Sequence, residues 1–316
     1  ADVNAPDDTG QIATVAAAIR GDPLVMEVLL AADADVDATN SNGVSAIIAA
    51  SHLAHCDVLS QLVRARCQVD SVNQAGATAL VAAVEGNQLA AANVLLEAGA
   101  NVNHVGVMDS TPLFAAVQEG HQSMVALLLA KRADPNHVAK NGASPLLVAA
   151  QLGFAKVAKE LVRANSVVNY KNEQGMNSSA LLQASQQGHI DMVELLLAAS
   201  AAVNGARSDG ATPLILASQA GHSDVVYKLL EMKADVNLGR SDNGQALMFA
   251  AQEGHTDVAR QLIAANARAD AKADSGATAL TLAARNRDEA MLRCLLDADG
   301  GDKSIDLDKL FDGKES

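Results

Sequence analysis

Hydrophobic residues along this chain arrive in two short helical clusters, break for a polar stretch, and then arrive again, nine times over. One such cluster is Met124, Val125, Leu128 and Leu129, whose spacing predicts a single buried helix face. The period follows from an anchor position held by Ile12, Ser45, Thr78, Thr111, Ser144, Ser179, Thr212, Gln245 and Thr278. Seven of the eight steps between anchors are 33 residues, and the step from Ser144 to Ser179 is 35. Five residues after each anchor stands an alanine, from Ala17 and Ala50 to Ala250 and Ala283. Seventeen after each stands a leucine, from Leu29 and Leu62 to Leu262 and Leu295. Two columns without an exception in nine rows mark a tandem repeat, and a period of this length predicts a stacked array.

Each unit reads as two short helices. The first runs for about eight residues from the anchor, whose hydroxyl suits an N-cap in most copies, with Pro fitting just after it. It is expected to stop at Gly120, Gly153, Gly188, Gly221 or Gly254, where a left-handed cap needs no Cβ. Asn87 takes that place in the third unit, and Asn is the next most tolerant residue there. The second helix leads into an extended linker such as Ala234-Asp235-Val236-Asn237 and then a tight turn. An invariant Ala is what closely approaching helices require, because a larger side chain would overpack.

Composition supports a thin, repeated core. At 316 residues the chain exceeds a usual single core, yet aromatic residues make up only 2% and Trp is absent. The net charge of −14 argues against nucleic acid and anionic lipid as partners and would steer a basic segment toward the chain. Cys56, Cys67 and Cys294 are too few for a disulfide framework and lack metal-ligand spacing, so a reducing compartment is expected, cytoplasmic or nuclear. Residues 1–5 lack the features of a signal peptide, and no apolar run is long enough to span a membrane. The absence of a starting Met fits a processed or excised chain.

Thr111-Pro112-Leu113, Gly221-His222, Val225-Val226 and Ala234-Asp235-Val236-Asn237 together resemble successive parts of the ankyrin repeat, a unit of about 33 residues. The resemblance spans about residues 8–300 and implies an all-α solenoid of stacked antiparallel helix pairs with projecting β-hairpin loops. It also implies a concave face lined by the hairpin tips and first helices. The chain departs from the family at one place. The histidine after Thr-Pro-Leu is missing from every copy, and Val15, Ile48, Val81, Phe114, Leu147, Leu182, Ile215, Met248 and Thr281 stand there instead. Apolar packing between repeats is expected in its place. Residues 1–7 read as the tail of a preceding repeat or an N-terminal cap, 8–300 as a single array of nine repeats, and 301–316 as an acidic capping tail in which 304–311 form a last helical turn.

Little in the pattern points to chemistry. His55, His121, His189, His222 and His255 follow the helix-ending turn. Copies packed about 8–10 Å apart would hold them too far from one another for a shared zinc. His104 and His137 fall in loops. The stretch from Asp297 to Asp306 has the flavour of an EF-hand, but Lys303 and Lys309 fall where that loop needs Gly and Glu. No nucleophile elbow, Walker loop, HExxH or dinucleotide turn is present, so no catalysis, cofactor or metal is expected.

Two features suggest where another protein would bind. Gln118, Gln151, Gln186, Gln219 and Gln252, each seven residues after an anchor, would form a row of amides able to bond an extended peptide. The fourth hairpin, Val105-Gly106-Val107-Met108, is apolar where most tips are polar. The sixth carries the two-residue insertion, which places Met176 near Tyr170. Leu152 and Phe154 flank a turn that usually carries polar residues. These positions outline an expected footprint on copies four to six for a protein or peptide partner, engaged by a monomer. The alternative is a regulatory or targeting arm of a larger enzyme or channel.

Overall fold

The computed structural model describes residues 2–298, so the 301–316 tail lies outside the described residues. The chain forms two compact units, the first ending at Val167 and the second beginning at Val168. The first unit contains five helix pairs: α1 (Ala13–Arg20) with α2 (Pro23–Ala31), α3 (Ala46–His52) with α4 (Cys56–Arg64), α5 (Ala79–Glu85) with α6 (Leu89–Glu97), α7 (Pro112–Gln118) with α8 (Gln122–Ala130), and α9 (Pro145–Leu152) with α10 (Ala155–Arg163). The second contains four: α11 (Ala180–Gln187) with α12 (Ile190–Ala198), α13 (Pro213–Ala220) with α14 (Ser223–Glu231), α15 (Ala246–Glu253) with α16 (Thr256–Ala264), and α17 (Ala279–Arg285) with α18 (Glu289–Ala298). Within each unit a first helix packs on the first helix of the next pair, and a second helix on the second.

The two invariant columns account for this stacking. The column alanines are buried, so neighbouring first helices approach backbone to backbone. The column leucines from Leu62 to Leu295 are buried as well, each offering roughly 2–3 kcal/mol of apolar transfer. The position that lacks histidine is apolar throughout the first eight copies, buried at Val15, Ile48, Phe114, Leu147, Leu182, Ile215 and Met248 and half-buried at Val81. Thr281 is the exception: it is exposed and completes a capping box with Thr278. Six anchor hydroxyls, those of Thr78, Thr111, Ser144, Ser179, Thr212 and Thr278, accept the backbone N–H three residues on. Ser45 does not cap its helix, and its Oγ lies 3.4 Å from Ser71 Oγ.

A polar bond recurs between successive repeats. Asn4, Asp37, Asp70, Asn103, Asn136, Asn169, Asn204 and Asn237 each accept a backbone N–H from the following copy, at 2.7 to 2.9 Å. Four of the asparagines also donate from Nδ2 to a carbonyl of that copy, those of Arg132, Asn165, Ser200 and Asn266. An amide can accept from the N–H and donate to the carbonyl at once, whereas a carboxylate can only accept.

Each turn before a first helix is closed by one backbone hydrogen bond, as from Asn73 N–H to Ala77 O (3.1 Å) and from Arg207 N–H to Ala211 O (3.0 Å). The inserted residues near 175 are absorbed inside the same closure, Asn172 N–H to Ser178 O at 2.9 Å. Among the described residues the turns form isolated bridges, Thr39 with Ser45, Asn172 with Ser178 and Gly239 with Gln245, and no longer ladder. Neighbouring tips are joined by backbone bonds such as Ser241 N–H to Asp209 O (2.9 Å).

The glycines ending the first helices serve two purposes. Gly188 and Gly221 have φ of +76° and +77°, and a Cβ on either would lie 2.5–2.6 Å from the imidazole of His222 or His255 in the next copy. Those rings donate from Nε2 to the carbonyls of Gln186 and Gln219, just before the same glycines. Gly221→Ala is therefore expected to cost about 2–4 kcal/mol, combining left-handed strain with a displaced ring. Gly276, with φ of +80° and nothing within 4 Å of its Cβ position, is the control. Gly276→Ala should cost only about 1 kcal/mol. Urea unfolding of the two variants measures the difference.

Candidate partner-binding surface

In the first unit the fourth turn carries the apolar tip. Val107 and Met108 are 62% and 64% exposed, and Val105 is also exposed. The backbone here is unusual: Met108 and Asp109 have φ of +61° and +57°, two consecutive side-chain-bearing residues in the left-handed region. Such residues cost free energy and persist only where neighbours hold them. Three bonds do so. Lys140 N–H donates to Met108 O (3.1 Å), His137 Nε2 to Asp109 O (2.8 Å) and His104 Nε2 to Gly76 O (3.2 Å). The two loop histidines thus brace the turns around the tip. Beside Val107 lies a cleft of about 220 Å³ between the third and fourth turns, bordered by Val81, Glu85, Thr111 and Ala115.

Gln118 and Gln151 are exposed at the ends of α7 and α9, and Leu152 is exposed beside Gln151. Phe154 is half-buried, because its ring occupies the place that His222 and His255 hold in their copies. A Cβ on Gly120 would lie 2.9 Å from it. Its principal contact is thus with the stack.

In the second unit the sixth turn repeats the device of the fourth. Met176 and Asn177 have φ of +57° and +55°, and Met176 is 50% exposed with its carbonyl held by Ser208 N–H at 2.9 Å. Met108 and Met176 therefore occupy the tip position that Asn42, Asp209 and Asp242 fill elsewhere. Apolar composition marked the fourth turn as odd and added length the sixth, but the paired left-handed conformation has no sequence signal at Met-Asp or Met-Asn. Tyr170 is half-buried. Gln186, Gln219 and Gln252 are exposed along the ends of α11, α13 and α15. Gln252 borders a cleft of about 500 Å³ with Met248, Phe249, Leu282 and Arg285. That cleft was not anticipated, although Phe249 is among the few aromatic residues of the chain. Arg240 lies over its ring at 5.2 Å.

A contrasting polar tip shows what the usual turn does. Asp209 accepts from Arg207 at 2.9 Å. Burial pushes its carboxyl upward, but the Arg207 bond, the Ala211 amide and the charges of Arg207 and Arg240 outweigh that and hold it below the ordinary value. Such a tip satisfies itself, whereas the methionine tips leave apolar surface in water.

The histidine rings that follow the helix-ending turns at positions 55, 222 and 255 face carbonyl oxygens across the stack. Among the described residues no three His, Cys, Asp or Glu side chains gather in a metal-binding group, and no helix is long and apolar enough to cross a membrane.

Helix pairs of this length, joined turn to turn and interlocked glycine to histidine, agree with comparison to known proteins. The family model described as Ankyrin repeats (3 copies) matches residues 13–106, 104–172, 166–240 and 235–307. The chain is an ankyrin-repeat protein. A solved human structure, the ASB11 ankyrin repeat domain, superposes with a TM-score of 0.62 at 29% identity, covering 69% of this chain and 96% of that one. No curated protein sequence matches. Ankyrin repeats are in general protein–protein interaction modules, and their fold is typically a non-catalytic scaffold.

One thiol of this ankyrin array is distinctly shielded. Cys67 follows α4 and is buried, and burial, with the nearby charge of Asp37, pushes its pKa up to about 11. A thiol whose folded value is raised contributes stability in full below the ordinary value of 9.0, and that contribution is lost as pH rises through about 11. The wild type should therefore lose more stability than Cys67→Ala over that window, as followed by denaturant midpoints. At neutral pH Cys67 should resist alkylation until the chain unfolds.

Proposed function

We propose that this ankyrin array binds a partner protein through its turn tips and the exposed ends of its first helices, with Val107 and Met108 as the apolar anchor. The observation that carries this is the exposure of both side chains on a turn whose backbone is held by the neighbouring turn. A rigid apolar group spends little ordering entropy on binding, and the methionine adapts to an irregular pocket. Glu85 beside the adjoining cleft and the acidic chain as a whole favour a partner segment that sets a basic residue next to an apolar one. The glutamine ends at 118 and 151 in the first unit, and at 186, 219 and 252 in the second, would bond the main chain of an extended segment. Leu152 and Met176 add apolar contact in their own units, with Phe154 and Tyr170 contributing their exposed edges.

Val107→Asp/Met108→Asp tests the reading. Both side chains face water, so thermal unfolding should match the wild type. Quantitative pull-down should lose about tenfold or more of the partner. Equal recovery by the variant would remove the fourth turn from the interface. Glu85→Lys should lower recovery further at low salt than at high salt if the partner segment is basic.

A further inference from the structure

Stacking leaves a record in the burial of each unit, and the first unit breaks it. Thirteen residues after the anchor the chain is fully covered in the second to ninth copies, as at Val58, Met124 and Val225, yet Val25 is 45% exposed. One residue after the anchor Ala46 and Ala79 are buried, while Ala13 is exposed. Sixteen after it, Gln61 and Gln261 reach back to the preceding pair, donating to Pro23 O (3.0 Å) and Ser223 Oγ (2.7 Å). In the first copy that place is Val28, 68% exposed. Leu24 beside it is 73% exposed, where other copies carry residues such as Asp57, Lys156 and Asp224. The end of a repeat array in water needs a polar outer face, and this one is aliphatic.

Residues 2–5 supply an independent observation. Asn4 Oδ1 accepts the N–H of Asp35 at 2.8 Å, the same bond that Asn103 and Asn204 make to Asp134 and Asp235. Asn4 thus holds the linker position of a unit whose helices would lie on α1 and α2.

We propose that the open face of Ala13, Leu24, Val25 and Val28 is the seat of one more ankyrin-type helix pair, entering through the segment 2–5. The face continues the stacking interface formed by the succeeding pairs within each compact unit. Its occupant is therefore a helix pair whose facing side offers apolar residues to Leu24, Val25 and Val28. A lone amphipathic helix or a loop would leave either the α1 side or the α2 side uncovered.

The test duplicates the chain's own unit, residues 205–237, directly before Ala5, so that the copied Asn237 takes the place of Asn4. The fused chain should melt about 2 °C or more above the original, and amide exchange in α2 should slow. Leu24→Lys/Val28→Lys should leave the original chain's melting unchanged and abolish the gain in the fused one. No gain, or a gain indifferent to the lysines, would overturn the proposal. So would sedimentation showing that the original chain pairs with a second copy and that the lysines disperse the pair.

Discussion

The hydrogen bond that a backbone N–H of one repeat donates to an Asp or Asn side chain of the repeat before it governs the spacing of the rest. Its donor and acceptor lie 31 residues apart in sequence, or 33 where the insertion intervenes at Asn169 and Ala202. A side chain so short gives the linker little slack, so each helix pair is delivered to its neighbour at nearly the same height. Given that placement, the column leucine enters the same apolar layer every time and the column alanine permits contact between first helices. A single pair could bury only a fraction of these residues. Stability of the array is therefore cooperative between nearest neighbours, and each local bond is worth more than its own few tenths to one kcal/mol because it positions an apolar layer.

The histidines that follow the helix-ending turn show the same principle at the opposite edge of the stack. A ring nitrogen satisfies a carbonyl orphaned at the end of the preceding first helix, and the ring fills the space that glycine leaves by lacking Cβ. Phe154 fills that space over Gly120 without offering a donor. The residue pair is chosen together, which is why a glycine column and a largely histidine column travel side by side.

The helices, their limits and the apolar layer were legible in the chain because strict periodicity leaves little freedom once nine rows agree. Hydroxyl capping was legible only in part. Ser45 has the right side chain but turns it toward Ser71, a tertiary contact that no local pattern encodes. The Asp/Asn column could have been read from Asn4, Asp37, Asp70 and their successors, since it is as regular as the leucines. Its role emerges only when the next unit's amide is seen beside it. Surface features were the least legible. The turns around Met108 and Met176 were marked by composition and length, while their shared left-handed geometry depends on bonds from the following turn. The cleft near Phe249 and Leu282 arises from two segments more than 30 residues apart.

The closing bond between Asn172 and Ser178 separates what lies outside it from what lies within. Two added residues there have left the helices on either side with their caps, their buried alanine and their bond across to Ala202 intact. This turn is thus a mechanically insulated position, in which added length stays inside the closing bond and does not reach the helices. A fluorophore or affinity handle inserted between Asn172 and Ser178 would report on the protein while leaving its architecture alone.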